Sequence, residues 1–402
     1  MKMVPLEQIK EISIKSASKI VMLVIDGLGG LPDAAGQTEL EIARTSYLNE
    51  LAEKSICGLV DPVSPGITPG SGPGHLALFG YDPLKFTIGR GVLEALGIGF
   101  ELTKNDIAAR GNFCTIDDTG LITDRRAGRI TTEKCTELCK LLAKIKLEGV
   151  ELFVWPVKEH RFMVVLRANG LSAEIRDTDP QQLGVAPNLA IAETPKAKDT
   201  SHLINLFIDE ARKVLSGQHP ANMILLRGFS KLPDIPTMGE IYKLSPAAIA
   251  VYPMYKGLAK LIGMEIFSAD GGIREELKIL ANCFDKHDFF YIHVKHADSA
   301  GEDGDFSRKV KVIEEVDSAL PQLLVLKPDV IVITGDHSTP AVLKMHSWHP
   351  VPVMLYSKWC RPDHVTVFSE SACVSGGLGR LHSTDIMPLA MANALKLTKF
   401  GA

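Results

Sequence analysis

The chain has 402 residues, more than a single domain usually contains, so we expect two domains. Its composition, 46% hydrophobic and 23% charged residues, is that of an ordinary globular protein, and its formal net charge of −4 leaves no basic excess for binding nucleic acid. The 7 cysteines include no Cys-x-x-Cys pair, and their odd number argues against a complete disulfide framework.

The N-terminal region predicts a strand, a loop and a helix in that order. Residues 1–19 lack the long apolar core of a signal peptide, and the apolar run Ile20–Ile25 is too short to span a bilayer. We therefore expect a cytoplasmic protein with no membrane partner. The run is instead typical of a buried parallel strand, followed by a glycine-rich turn and a helix at 45–54. A second loop, 62–74, is rich in Pro, Gly, Ser and Thr.

From about residue 103 the pattern changes to short strands joined by polar turns. The predicted strands are 113–116, 121–123, 152–155, 162–167 and 173–175, with a helix at 132–147. Alternation of strands and helices then resumes, with strands at Phe289–Val294, Val330–Thr334 and 351–356 and helices at 258–263, 306–320 and 385–397. The sequence therefore predicts an α/β core of residues 1–102 and 253–402, a mostly parallel sheet between helices, interrupted by an α+β domain at 103–252.

Three of the predicted strands end in side chains that bind metals. Asp26 follows the first strand, His296 and Asp298 follow the second, and Asp336 and His337 follow the third. Ligand sites in parallel sheets gather outside the carboxyl ends of the strands, so these side chains should share one edge. A capping or turn aspartate explains each strand end taken alone. The coincidence of three such ends predicts a binuclear metal site.

Further ligand candidates lie downstream of two of these strands. His346 is the better of two nearby imidazoles, since His349 could lie behind the site or be solvated. Glu302 joins Asp298 as a candidate in an acidic loop that lacks the EF-hand spacing. The acidic residues that follow Glu302 are better explained as caps of the next helix. Carboxylates and imidazoles without thiolate suit Mn²⁺, Zn²⁺ or Mg²⁺, and the sequence does not choose among them.

Ser71 is the candidate nucleophile. It lies in the segment Gly70-Ser71-Gly72-Pro73-Gly74-His75, where glycines permit a close backbone approach. The segment opens a predicted helix whose free N–H groups suit an anion such as phosphate. A serine hydroxyl on a metal loses its proton readily and becomes nucleophilic. In isolation, a flexible surface loop would explain the same residues.

Basic side chains could bind an anionic substrate, since arginine suits phosphate and carboxylate alike. Scattered arginines are more often solvated, and the cluster at 124–129 is the stronger signal. The candidates are Arg125, Arg126, Arg129, Arg161, Arg227 and Lys256.

Together these motifs resemble the alkaline phosphatase superfamily, and more narrowly the cofactor-independent (2,3-bisphosphoglycerate-independent) phosphoglycerate mutases of the archaeal type. The segments that carry the resemblance are Val24-Ile25-Asp26-Gly27, Gly70 to His75, Asp298-x-x-Gly301 and Gly335-Asp336-His337-Ser338-Thr339-Pro340. It extends over essentially the whole chain, including the 124–129 cluster and Leu226-Arg227-Gly228.

The resemblance implies interconversion of 3-phosphoglycerate and 2-phosphoglycerate through a phosphoserine at Ser71, with two divalent ions, usually manganese or zinc, and no 2,3-bisphosphoglycerate. It assigns one ligand set to each ion: Asp26, Ser71, Asp336 and His337, and separately Asp298 and His346. The basic candidates would clamp the glycerate. Where the family usually has histidine, this chain has Glu302, which adds negative charge and puts the metal preference in question. The oligomeric state stays open.

Two other functional classes stay open. One is a phosphomonoesterase, or a mutase or phosphotransferase acting on another small phosphorylated metabolite, including a homoserine kinase-like role. The other is a metal-dependent binding or scaffold protein with a decayed site. Such a scaffold should have lost its nucleophile or several ligands, yet Ser71 and the residues assigned to the same metal ion are all present.

Overall fold

The chain forms two units in the computed structural model, which describes residues 4–401. One unit is discontinuous and contains residues 4–87 and 235–401, and the other is Ile88–Asp234. We call them the core unit and the insert. No helix within residues 4–401 is long and apolar enough to cross a bilayer.

The elements follow in chain order. The first segment of the core unit contains α1 (Leu6–Ile12), β1 (Ile20–Ile25), α2 (Glu39–Ile42), α3 (Ser46–Ala52), β2 (Ile56–Asp61) and α4 (Ser71–Leu78). The insert contains α5 (Arg90–Gly97), β3 (Asp106–Ile116), β4 (Ile122–Asp124), α6 (Thr132–Leu142), β5 (Glu151–Lys158), β6 (Arg161–Arg167), α7 (Lys198–Leu215) and β7 (Met223–Ser230). The second core segment contains α8 (Met238–Tyr242), β8 (Pro246–Ala250), α9 (Pro253–Leu261), β9 (Glu265–Ser268), α10 (Ile273–Cys283), β10 (Phe289–Val294), α11 (His296–Asp303), α12 (Phe306–Leu324), β11 (Val330–Thr334), β12 (Val351–Ser357), α13 (Glu370–Cys373), β13 (Gly379–His382) and α14 (Ile386–Asn393).

The core unit is built on an 8-stranded sheet of order β13-β2-β12-β11-β1-β10-β8-β9. Neighbouring strands are parallel except at β12, which is antiparallel to both β11 and β2. All residues of β1, β10 and β11 are buried, as expected for central strands covered on both faces. The predicted fold class, a mostly parallel sheet flanked by helices, is confirmed. The register of β1 with β10 and β11 sets the ends of all three at one edge.

The insert has an antiparallel sheet in which β3 pairs with β4, β6 and β7, and β5 pairs with β6. One face packs Phe113 and Phe162 against Leu138 of α6 and Phe207 of α7. The other face packs against α5, where Val92 belongs to a second apolar cluster. Alternate residues of β3 therefore pack into two small cores, one on each face of the sheet. Helices covering both faces of an antiparallel sheet are consistent with the predicted α+β domain.

The limits of the insert differ from the predicted 103–252. Helix α5 belongs to the insert because it packs on β3, and a Cβ at Gly91 would lie 2.1 Å from the carbonyl oxygen of Ala108. At the other end, β8 pairs in parallel with β10 and so belongs to the core unit. Both differences arise because tertiary packing decides where the insert begins and ends. Local sequence patterns do not show which elements pack together.

Local predictions deviate where the apolar pattern is short. The strand predicted at 173–175 is wrong, since that segment contributes an isolated bridge between Ile175 and Ala192. The helix predicted at 132–147 ends at Leu142. Helix α12 begins after Asp305, whose side chain accepts the N–H of Arg308, so the predicted cap is present.

Glu276 in α10 gives a prediction about stability. Its side chain is buried, and its Oε2 meets no hydrogen-bond donor among the described residues. Burial raises its pKa from 4.5 to about 8. The folded state therefore favours the protonated carboxyl group. The free energy of unfolding that this contributes is lost as the pH rises from 4.5 towards about 8. We expect Glu276→Gln to raise the midpoint of thermal unfolding by several degrees at alkaline pH and much less at mildly acidic pH.

The matched control is Glu275→Gln, because Glu275 is the exposed neighbour on the same helix and pairs with Lys278 at 3.7 Å. It should show no gain that grows with pH. Calorimetry of both variants across the pH range measures the difference. A gain for Glu276→Gln that is equal at all pH values would show that the buried carboxyl group does not ionise in the way described.

Candidate active site

A tight turn after β1 places Asp26 at the edge of the core sheet. Gly27 has a φ of +66°, and a Cβ there would lie 2.9 Å from the Cα of Asp298. Glycine is therefore required both by the backbone conformation and by the neighbouring helix. The N–H of Gly27 donates to Oδ1 of Asp336 at 3.1 Å. The turn thus brings the ends of β1 and β11 together and closes them against α11.

Ser71 is the first residue of α4, and this helix lies close to the end of β11. A Cβ at Gly74 would lie 2.3 Å from the carbonyl oxygen of Asp336, so this approach also requires glycine. His75, one turn after Ser71, has its Nδ1 2.8 Å from the Ser71 carbonyl oxygen and 3.1 Å from Oδ2 of Asp336. The buried imidazole of His75 therefore lies between the helix start and the β11 loop.

Three predicted side chains converge on one nitrogen atom of a fourth, His337. Nε2 of His337 lies 3.1 Å from Oγ of Ser71, 3.3 Å from Oδ1 of Asp26 and 3.2 Å from Oδ2 of Asp336. Both aspartates and His337 are fully buried. Oδ1 of Asp26 and Oδ2 of Asp336 meet no hydrogen-bond donor among residues 4–401. Buried carboxylate oxygens left unpaired beside an imidazole fit a divalent cation of the Mn²⁺, Zn²⁺ or Mg²⁺ class.

A second group of ligand atoms adjoins the first. Asp298, His337 and His346 offer atoms that all lie within 4.8 Å of one another. Nε2 of His346 is 3.5 Å from Oδ1 of Asp298, and its ring stacks on that of His337 with centroids 3.7 Å apart. Glu302 lies at the rim, with Oε1 3.8 Å from Nε2 of His346 and a side chain 55% exposed. His349 lies apart from these atoms, with its Nδ1 3.0 Å from the Ser347 hydroxyl.

The innermost carboxyl groups differ in pKa. Burial and the negative charge of Asp26 raise the pKa of Asp336 to about 7. Burial acts on Asp26 in the same direction, but the hydrogen bond and charge of His293, with His337 and Lys295, hold the pKa of Asp26 well below its usual range. The protein's own groups therefore stabilise a full negative charge on Asp26 but not on Asp336. A divalent cation would supply the further positive charge that a second carboxylate needs.

Polar side chains that the sequence analysis did not select surround Asp26. Oδ2 of Asp26 accepts a hydrogen bond from Tyr255 at 2.5 Å and lies 3.1 Å from Nε2 of His293 and from Nζ of Lys295. Lys295 also contacts the carboxylate of Asp298, so its ammonium lies between the two ligand groups. A signal for two of them existed, because His293 is next to last in the apolar run of β10 and Lys295 follows its end directly. Nothing local marks Tyr255.

The insert holds a pocket of about 200 Å³ lined mostly by cationic and polar groups. Its lining consists of Arg110, Asn112, Arg125, Arg126, His160, Arg161, Gln181 and Arg227. Nε of Arg110, Oδ1 of Asn112 and Nδ1 of His160 are buried and have no hydrogen-bond partner among the described residues. Buried polar atoms without partners in a cationic pocket are the pattern expected where an anionic ligand completes the site.

The predicted basic residues have different surroundings. Arg125 is bound to Asp179 by two hydrogen bonds of 3.0 and 2.7 Å, which helps to hold the pKa of that buried carboxyl group low. Arg129 is exposed and is not among the residues lining the pocket. Lys256 belongs to the core unit, where its ammonium donates to the Ser268 hydroxyl at 3.1 Å. Substrate contacts of Arg129 and Lys256 stay predictions.

Comparison with known proteins agrees with these observations. The family model described as 2,3-bisphosphoglycerate-independent phosphoglycerate mutase matches residues 52–222. A relative from Thermosipho africanus, named a probable 2,3-bisphosphoglycerate-independent phosphoglycerate mutase, is 51% identical over 396 residues, which cover 98% of each chain. The chain belongs to this mutase family. The resemblance inferred from the motifs is confirmed.

Two solved structures share the fold over nearly the whole chain. A Pyrococcus horikoshii protein, PH0037, has a TM-score of 0.82 at 30% identity and covers 96% of this chain and 100% of its own. The cofactor-independent phosphoglycerate mutase of Thermoplasma acidophilum has a TM-score of 0.76 at 32% identity, covering 94% and 100%. The enzyme is thus an isomerase whose substrate is a small phosphorylated metabolite. Family membership supports phosphoglycerate interconversion without 2,3-bisphosphoglycerate as a cofactor.

Proposed function

We propose that the enzyme interconverts 3-phosphoglycerate and 2-phosphoglycerate through a phosphoserine at Ser71, beside two divalent metal ions. The observation that carries the proposal is the convergence of the Ser71 hydroxyl and two buried aspartates on Nε2 of His337, within 3.3 Å. One ion would be held by Asp26, Ser71, Asp336 and His337. The other would be held by Asp298 and His346, with Glu302 at the rim and His337 close enough to belong to this group as well.

In the proposed first half-reaction, Oγ of Ser71 loses its proton and forms a bond to phosphorus. The bond between phosphorus and the glycerate oxygen breaks, and that oxygen takes up a proton. When bound, the divalent ions lower the pKa of a hydroxyl they contact and offset negative charge on the transferred group. The start of α4 contributes too, since free N–H groups at a helix N-terminus favour a phosphate anion beside Ser71.

In the second half-reaction the glycerate presents its other hydroxyl to the phosphoserine. That hydroxyl gives up its proton and forms the new oxygen–phosphorus bond as the bond to Oγ of Ser71 breaks, and Oγ takes up a proton. Phosphate is thus conserved and no cofactor is consumed. Glycerate must be retained between the two steps, because water would otherwise take the phosphate. The arginine pocket of the insert is proposed to hold the anionic groups of the glycerate, since guanidinium groups form charge-assisted hydrogen bonds with carboxylate and phosphate.

The arginine pocket gives a prediction at Arg110. Its guanidinium lines the pocket, and its buried Nε lacks a partner among the described residues. Losing one hydrogen-bonded charge should cost about 1.5–3 kcal/mol of substrate binding. We therefore expect Arg110→Ala to raise KM for 3-phosphoglycerate by about 10- to 100-fold. Steady-state kinetics with excess metal ion measures this change.

Arg176→Ala is the control for Arg110→Ala. Arg176 is also in the insert, but its side chain is 67% exposed and pairs with Glu193 at 3.5 Å. Its replacement should leave KM within about twofold, as is usual at exposed positions. Manganese affinity should be unchanged in both variants, since the proposed ligands lie in the core unit. An unaltered KM in Arg110→Ala would remove Arg110 from the substrate site.

The function is tested by ³¹P NMR of 3-phosphoglycerate with the protein loaded separately with Mn²⁺, Zn²⁺ and Mg²⁺. The proposal expects a 2-phosphoglycerate signal that grows to equilibrium without free phosphate, and no reaction after chelation. Release of inorganic phosphate as the main product would instead identify a phosphomonoesterase. An absence of both products with every metal ion would refute the proposed substrate.

A further inference from the structure

A fully buried lysine lies behind the proposed metal ligands. Lys309 of α12 has 0% exposure, and its ammonium donates to the carbonyl oxygens of Gly29 at 3.0 Å and Thr339 at 2.9 Å. Glu39, also fully buried, lies with Oε1 3.7 Å from Nζ. Burying an ammonium costs several kcal/mol unless its charge and hydrogens are matched. Two carbonyl oxygens and one carboxylate oxygen therefore face the buried ammonium group.

The two carbonyl groups belong to the two loops that carry the proposed ligands. Gly29 lies three residues after Asp26, and Thr339 lies two residues after His337. The loops also meet directly, since the N–H of Thr339 donates to the Gly29 carbonyl at 3.0 Å. Lys309 thus fixes the spacing of two segments that are separated by some three hundred residues of sequence.

Thr339 extends this connection to the second ligand group. Its hydroxyl donates to Oδ1 of Asp298 at 2.7 Å and lies 2.9 Å from Nδ1 of His337. Thr339, whose carbonyl accepts a hydrogen bond from Lys309, therefore orients one proposed ligand of each metal ion. Groups that orient ligands from behind typically change metal affinity by about 10- to 100-fold when removed.

Glu39, which lies near the ammonium of Lys309, also holds the loop that follows Thr339. Its Oε1 accepts the N–H of Ala341 at 2.7 Å, two residues beyond Thr339. Glu370 of α13 accepts the N–H of Gly30 at 2.8 Å, next to Gly29. Glu39 and Glu370 thus each hold one of the two loops. The hydrogen bonds of Lys309 join these two loops and so set the distance between them.

We propose that Lys309 is a positioning residue for the metal centre: its buried ammonium joins the Asp26 loop to the Asp336–His337 loop and so preorganises both ligand groups. This inference rests on the proposed two-metal function. It predicts that loss of the ammonium weakens metal binding more than it weakens substrate binding or turnover at saturating metal. A residue that merely supports the fold would lower stability without this selectivity.

The test uses the full chain carrying Lys309→Met together with Glu39→Gln, so that no unpaired carboxylate is left buried. Electron paramagnetic resonance of Mn²⁺ measures binding, and kinetics at saturating Mn²⁺ measures kcat and KM separately. We expect the half-saturating Mn²⁺ concentration to rise about tenfold or more, with kcat and KM at saturation within about threefold of the unmodified protein. Lys311→Met, an exposed lysine on the same helix, should change none of these values.

Lys309→Gln is the second variant in case the double variant does not fold. Its amide can still donate to one carbonyl, so its Mn²⁺ affinity should lie between those of the double variant and the unmodified protein. The inference is overturned if the folded variants bind Mn²⁺ as tightly as the unmodified protein, or if kcat at saturating metal falls as far as the affinity. If the unmodified protein binds none of Mn²⁺, Zn²⁺ and Mg²⁺, the proposed function fails instead, which separates the two outcomes.

Discussion

Replacing Ser71 by alanine is expected to reduce mutase turnover by about 10⁴-fold or more, because removing a covalent nucleophile leaves only binding and charge stabilisation. Oγ of Ser71 is the group proposed to carry the phosphate, and Ser71 is the first residue of α4, a helical position that alanine also favours. Manganese affinity should fall by less than about tenfold, since the aspartates and His337 remain. Coupled assays of 2-phosphoglycerate formation and Mn²⁺ titration measure the two effects.

Thr68→Ala provides the matched control for Ser71→Ala. Thr68 is an exposed hydroxyl residue in the same loop, three positions before Ser71, and its loss should leave turnover nearly unchanged. Intact-mass measurement after quenching with substrate should show one added phosphoryl group in the unmodified enzyme and in Thr68→Ala. It should show none in Ser71→Ala. Appreciable turnover in Ser71→Ala, or phosphate found on another residue, would remove Ser71 as the nucleophile.

The ends of central strands made part of this site predictable from the sequence. A continuous apolar run predicts a strand buried on both faces, and parallel neighbours place their carboxyl ends at one edge. Asp26, Asp336 and His337 follow such runs closely, and the structure brings Nε2 of His337 within 3.3 Å of a carboxylate oxygen of each aspartate. Ser71 could be selected for a different reason, because its neighbouring glycines permit the close approach that α4 makes to β11.

Other parts of the site depend on side chains whose neighbours are set by tertiary structure. Arg110 lies inside β3 among apolar residues, and its pocket forms through pairing with distant strands. Lys309 lies on the same helical face as the buried residues Val312 and Ile313, but its carbonyl partners belong to loops that are distant in sequence. Glu302 was predicted as a ligand from its spacing after Asp298, but its exposure at the rim depends on the course of α11.

Replacing His337 by alanine is expected to remove both proposed metal sites. Nε2 of His337 lies within 3.3 Å of Asp26 and Asp336, and His337 also belongs to the group with Asp298 and His346. Losing one ligand shared by both groups should lower kcat by about 10³-fold or more, because charge on the transferred phosphate is then poorly stabilised. Metal content after dialysis, measured by inductively coupled plasma mass spectrometry, should fall from two ions per chain towards none.

Comparison with two other histidine variants separates this role from a general loss of imidazole. His346→Ala should retain one ion, because His346 belongs only to the group with Asp298 among the described ligand clusters. His349→Ala should retain both ions and nearly full turnover, since His349 bonds to Ser347 instead of the ligands. The order of metal loss should therefore be His337, then His346, then His349. Equal metal loss in the His337 and His346 variants would show that the two ligand groups form a single site. The two-metal proposal would then fail, while the assignment of Ser71 would still depend on the separate test of Ser71→Ala.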